Sequence, residues 1–149
     1  MSNESLLSTL NRGLNNYALE RGRIFGRIED RKEALFDAEE NLKRAQEAER
    51  GTVFADDELI RKMRELTAYY NSLPTDPPRP QALLEQQTEM GREQVQTHRK
   101  RMESHEVARG AMTARDEAAR DLAVAKEELK AIDARIQETN REIERLRQS

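Results

Sequence analysis

Between Leu7 and Ala45 the spacing of the apolar residues leaves few folds open. Positions 7, 10, 14, 17, 21, 24, 28, 31, 35, 38, 42 and 45 follow one another in alternating steps of three and four. They hold Leu7, Leu10, Leu14, Tyr17, Arg21, Ile24, Ile28, Arg31, Leu35, Ala38, Leu42 and Ala45, and ten of the twelve are apolar. A 3.5-residue repeat held this long aims one narrow stripe of a helix at a neighbouring helix, which is the pattern of a coiled coil. Composition agrees: 37% of the 149 residues are charged, 4% are aromatic, and there is no Trp and no Cys. Large side chains are too few to fill a thick, sheet-based core of this size.

Two stretches interrupt the helical pattern. All four prolines fall in Leu73-Pro74-Thr75-Asp76-Pro77-Pro78-Arg79-Pro80, where fixed φ angles and missing N–H donors stop a helix. A second break is expected at Gly51-Thr52-Val53-Phe54-Ala55-Asp56-Asp57, with Gly51 as a C-cap and Asp56 as the next N-cap. The expected domain is therefore a single coiled-coil domain, residues 1–149. Its helices run about 5–50, 57–72 and 81–148, with a proline-rich reversal at 73–80. The middle segment carries Leu59, Met63, Leu66, Tyr70 and Leu73. The last has a strong seam at Leu122, Ala125, Leu129, Ile132, Ile136, Thr139, Ile143 and Leu146. Its earlier half favours Leu84, Thr88, Gly91, Val95, His98, Met102, His105, Arg109 and Met112. Joining the two frames puts consecutive threes at Met112, Arg115 and Ala118, a stammer, and predicts an overwind or bend near Gly110.

Lengths suggest how the pieces pair. At 1.5 Å per residue the three segments come to roughly 69, 24 and 102 Å, so the first two together nearly match the third. The expected fold is all-α, an elongated antiparallel coiled-coil hairpin in which helix 1 plus a short helix 2 pack against one long helix 3. A turn centred near residue 77 makes partner numbers add to about 154. That register sets Arg21 beside Asp133, and Asp56 and Asp57 near His98 and Arg99. A parallel homodimer is the rival arrangement.

The residues point away from several kinds of chemistry. Charge is evenly mixed: 9 basic and 10 acidic residues in 1–51, 4 and 5 in 52–80, 13 and 14 in 81–149. A nucleic-acid binder would gather its basic charge into a stripe or tail, so no nucleic-acid partner is expected. The first residues lack the basic and apolar regions of a signal peptide, and no apolar run is long enough to span a membrane. The expectation is a soluble protein of the cytoplasm or of a macromolecular particle. His98, Met102 and His105 share a stripe, but seven residues separate the imidazoles by about 10 Å, beyond the four-residue spacing of helical metal pairs. The carboxylate pairs Glu39-Glu40, Asp56-Asp57, Asp116-Glu117 and Glu127-Glu128 each have Lys or Arg nearby, which describes a solvated face. No phosphate loop, nucleophile elbow or metalloprotease motif occurs. No catalytic residue, cofactor, metal or small-molecule substrate is expected.

Apolar residues off the seam are more telling. Leu14, Phe25 and Phe36 recur every 11 residues, a period that stays on one face of a nearly straight helix. Leu19, Ile60, Tyr69, Val107 and Val124 also fall outside the main frames. Leu19, Phe25, Phe36 and Tyr69 are the candidate contacts for a protein partner or another copy. Pro74-Thr75-Asp76-Pro77 matches P-x-x-P, a form that docks on aromatic grooves, although a rigid turn is the plainer role. The expected function is a non-enzymatic coiled-coil adaptor, scaffold or structural subunit of a larger bacterial or viral assembly. A virion component and a nucleic-acid-associated coiled coil are alternatives. In length, lack of cysteine and hairpin arrangement the chain is similar to the stalk and escort proteins of flagellar and type III secretion ATPases. That resemblance is one of architecture, and it implies binding to such an ATPase.

Overall fold

In the computed structural model, which describes residues 2–149, two long α-helices pack together: α1 spans Asn3–Ser72 and α2 spans Gln81–Gln148. Neither helix is long and apolar enough anywhere to cross a membrane. The expected separate helices at 5–50 and 57–72 are one helix, and Gly51 to Asp57 is helical throughout. The reason lies in the spacing. From Ala45 the three-four steps run on through Glu49, Thr52, Asp56 and Leu59 to Met63, and every one of these is buried or half-buried. Gly51 sits off that stripe, exposed and without a positive φ. A mid-helix glycine costs about 1 kcal/mol relative to alanine, too little to break a helix packed on both sides of it. Asp56 faces the partner helix and caps nothing.

The second correction concerns α2. Its buried and half-buried residues follow one unbroken frame: Leu83, Gln87, Met90, Gln94, Thr97, Arg101, Ser104, Ala108, Ala111, Arg115, Ala118 and Leu122, continuing to Leu146. There is no stammer. The expected frame of the earlier half lies one residue further on, and Leu84, Val95, Met102 and Met112 are exposed. Apolarity picks the wrong frame here because half of the true seam is Gln, Thr, Arg and Ser. With heptad positions lettered so that Leu7 is an a residue of α1 and Gln87 an a residue of α2, both seams are a and d positions from end to end.

Packing divides the chain into two units. In the first, the segment up to Glu39 meets Ala114–Ser149. Its core is Ile24, Ile28, Leu122, Ala125 and Ile132, with Tyr17, Leu35, Leu129 and Ile136 against it. Arg21 Nε donates to Asp133 Oδ1 at 2.6 Å, as the expected register requires. Arg27 pairs with Glu128 at 3.1 Å, and Arg31 donates to the Asp121 carbonyl at 3.1 Å. Of the expected seam, Ile24, Ile28, Leu122, Ile132 and Ile143 are buried, while Leu7, Leu10, Leu14, Leu35, Leu129, Ile136 and Leu146 are half-buried.

The second unit is Glu40–Thr113. Leu42, Ala45, Leu59 and Ala108 are its buried apolar residues, and Asp56 is buried with them. Glu49 meets His105, Asp56 meets His98 and Thr67 meets Gln87, pairs whose numbers each add to 154. Arg101 rather than Arg99 reaches Asp56 and Asp57. In both units the helices are therefore antiparallel. At the reversal, Arg79 Nε donates to the Leu73 carbonyl at 3.1 Å and its guanidinium lies 4.9 Å from the Tyr70 ring centroid. α1 has no basic residue in its own last turn. Arg79 supplies the positive charge that the carbonyl end of a helix favours.

Two substitutions check this architecture. A Cβ at Gly51 would meet nothing within 4 Å, so Gly51→Ala should stabilise by up to about 1 kcal/mol in chemical denaturation. A C-cap glycine would give a loss instead. Leu129→Asp should cost several kcal/mol, because it sets an unpaired carboxylate against the Ile24 and Ile28 cluster.

Candidate functional site

Two features of the helices stand apart from simple apolar pairing, and the first is the polar stretch of seam in the Glu40–Thr113 unit. Asp56 is an a residue with 0% of its surface exposed. A carboxylate held there must be paired, since an uncompensated buried charge is far too costly. It is. Gln94 Nε2 donates to Oδ1 at 3.3 Å, Arg101 donates to Oδ2 at 3.2 Å, and His98 Nδ1 lies 3.3 Å from Oδ2. Arg101 also reaches Asp57 at 3.1 Å. Burial by itself raises the Asp56 pKa. The hydrogen bonds of His98, Arg101 and Gln94 more than offset that and hold it below the ordinary carboxylate value. The Arg101 pKa is raised, chiefly by its hydrogen bond to Asp56.

One heptad away the motif repeats: His105 Nδ1 lies 3.4 Å from Glu49 Oε1. The only two histidines of the chain thus each rest on a different seam carboxylate of the opposite helix. They are not brought onto a common point. Among the described residues no group of three or more His, Cys, Asp or Glu is placed to hold a metal ion. The arrangement instead fixes register, because sliding either helix by a heptad would take Asp56 from its three donors.

The second feature is the exposed apolar surface. Of the candidate partner contacts, Leu19 is 66% exposed, Phe25 41%, Phe36 61% and Tyr69 56%. Phe25 and Phe36 occupy the e and b positions of one flank of α1, and Leu19 is the next position outward. The Arg21 guanidinium stands 4.8 Å from the Phe25 ring centroid and shields part of it. Tyr69 is a g residue of the other unit and does not share that patch. Leu84, Val95, Met102 and Met112, expected in the seam, are surface residues. The usable signal was the presence of two heptad frames, one residue apart, between 83 and 112.

Comparison of the chain with protein-family models, with curated proteins and with solved structures finds no match.

The Asp56 cluster makes a pH prediction. A carboxyl whose folded pKa lies below its unfolded value stabilises the fold above about pH 4, and that stabilisation is lost as pH falls through the folded pKa. Asp56→Asn should therefore unfold several degrees below the parent at neutral pH. The gap between the two melting curves should narrow progressively as pH is lowered below about 4.

Proposed function

We propose that the protein is a coiled-coil adaptor or scaffold subunit that holds other proteins in a larger assembly, with no catalytic step of its own. One comparison of surfaces carries the reading. Among the described residues only ten apolar side chains are buried, and three of those are Ala45, Ala108 and Ala125. Eleven large apolar side chains remain exposed, Leu19, Phe36, Phe54 and Val107 by more than 60%. Single exposed apolar residues are ordinary, but eleven large ones beside seven that are buried leave surface kept for contact. Covering one such side chain contributes roughly 1.5–3 kcal/mol, so a few of them suffice for a specific complex.

The Phe25 and Phe36 patch belongs to the unit that has the compact apolar core, which makes it a firm platform. A cytoplasmic location, or one inside a macromolecular particle, fits a cysteine-free chain of this kind.

Tagged protein recovered from its native source should carry a defined partner identifiable by mass spectrometry. Phe25→Ser combined with Phe36→Ser should lose that partner while keeping the parent helical content by circular dichroism. Equal recovery by the variant, or a turnover activity that purifies with the chain, would contradict the proposal.

A further inference from the structure

One flank of the Glu40–Thr113 unit combines an apolar floor with a basic border. It is the flank on which His98 and His105 cross to Asp56 and Glu49. In an antiparallel pair the e positions of both helices lie on the same side of the seam. On α1 those positions hold the half-buried Val53 and Ile60. On α2 the e and b positions present Leu84, Val95, Met102 and Met112, exposed by 37%, 56%, 52% and 44%. These four belong to the second three-four frame of α2, so a whole heptad stripe faces outward with no helix upon it. Gly91 lies in the same stripe, and the space a Cβ would take there is open. Beside Ile60, Met63 and Thr67 is an open hollow of about 530 Å³.

Charge says what fits there. The b and e positions of this flank carry Lys43, Arg50, Arg64 and Arg109 against one acid, Asp57, and Asp57 is already held by Arg101. Among the described residues, Lys43, Arg50 and Arg64 have no carboxylate within ion-pair distance. The opposite flank has the reverse sign: Glu58, Glu65, Glu89, Glu93 and Glu103 outnumber Arg44, Lys62 and Lys100 at its c and g positions. Of the outermost residues, Glu85, Arg92, Arg99 and Glu106 of α2 balance one another, and Glu40, Glu47 and Arg61 of α1 leave one negative charge. We propose that this flank is a docking groove for an amphipathic helix of another protein, one whose apolar stripe repeats in steps of three and four and is bordered by Asp or Glu. The same flank of a second copy would bring like charges together, which disfavours it as the occupant. The proposal rests on reading the chain as a protein-binding element. Its groove lies outside the Phe25 and Phe36 patch, so either surface can fail its test without the other.

The test uses the full chain and two synthetic helices. Each is about 28 residues, the length that covers roughly 42 Å from Leu84 to Met112. Both carry Leu at the same three-four positions; one has Glu at the flanking positions and the other Lys. Fluorescence anisotropy should show the Glu-bordered helix binding at least about tenfold more tightly than its Lys counterpart, with the difference shrinking in high salt. Val95→Ser with Met102→Ser should weaken binding by a similar factor. Lys43→Glu with Arg64→Glu, both at exposed positions, should invert the preference between the two helices. Equal binding of both helices, binding of neither, or binding unaffected by the charge reversal would overturn the proposal. Self-association in sedimentation, or association with vesicles of anionic lipid, that is abolished by Val95→Ser with Met102→Ser would also overturn it, by assigning the stripe to another occupant.

Discussion

Everything in this chain depends on the alternation of three- and four-residue steps that keeps a and d positions of α1 facing a and d positions of α2. Every seam residue from Leu7 to Leu73 and from Leu83 to Leu146 is buried or half-buried. The cross-helix pairs keep one register in each unit: the numbers of Arg21 and Asp133 in one, and of Asp56 and His98 in the other, add to 154. A two-helix seam buries little per residue, so its spacing must be strict. Gly51 and Gly110 are tolerated because they stand outside it, exposed on the far faces.

The two units use the same spacing for different ends. Up to Glu39 and beyond Ala114 the seam is mostly Ile, Leu and Ala, with Tyr17, Arg21, Arg31, Arg115 and Thr139 as the exceptions, and burial supplies most of the cohesion. Between Glu40 and Thr113 it contains Glu49, Thr52, Asp56, Gln94, Arg101 and Ser104. Polar seam residues give up apolar burial and in return select one register, since only one alignment gives Asp56 all its donors. The apolar residues that such a seam does not use lie on its flank, where they are available to a third helix.

Much of this was legible in the sequence. The heptad run from Leu7, the proline reversal and the pairing of Arg21 with Asp133 and of Asp56 with His98 all follow from spacing and length. Two readings failed for one shared reason. Glu49, Thr52 and Asp56 look like a helix end when judged by residue type, and Gln87 to Ser104 look like a solvated face. Both are seam. The three-four count carried through them unbroken, and it outweighs propensity when a helix is packed along its whole length. The exposed stripe at Leu84, Val95, Met102 and Met112 was visible as a frame. The frame that faces inward is the one that runs on unbroken from Leu122, and Gln94 and Arg101 of that frame pair Asp56 from 38 and 45 residues away.

Because the chain has no cysteine of its own, oxidative cross-linking reads the central pairing without interference. A disulfide forms only where the two Cα atoms come within about 7 Å or can do so with slight movement. Ile28→Cys with Ala125→Cys, residues of one core cluster, should close within a single chain and migrate as monomer. Ile28→Cys with Ala118→Cys, one heptad out of step, should not. Cross-linking of the second pair in place of the first, or products of dimer mass only, would contradict an antiparallel seam built within one molecule.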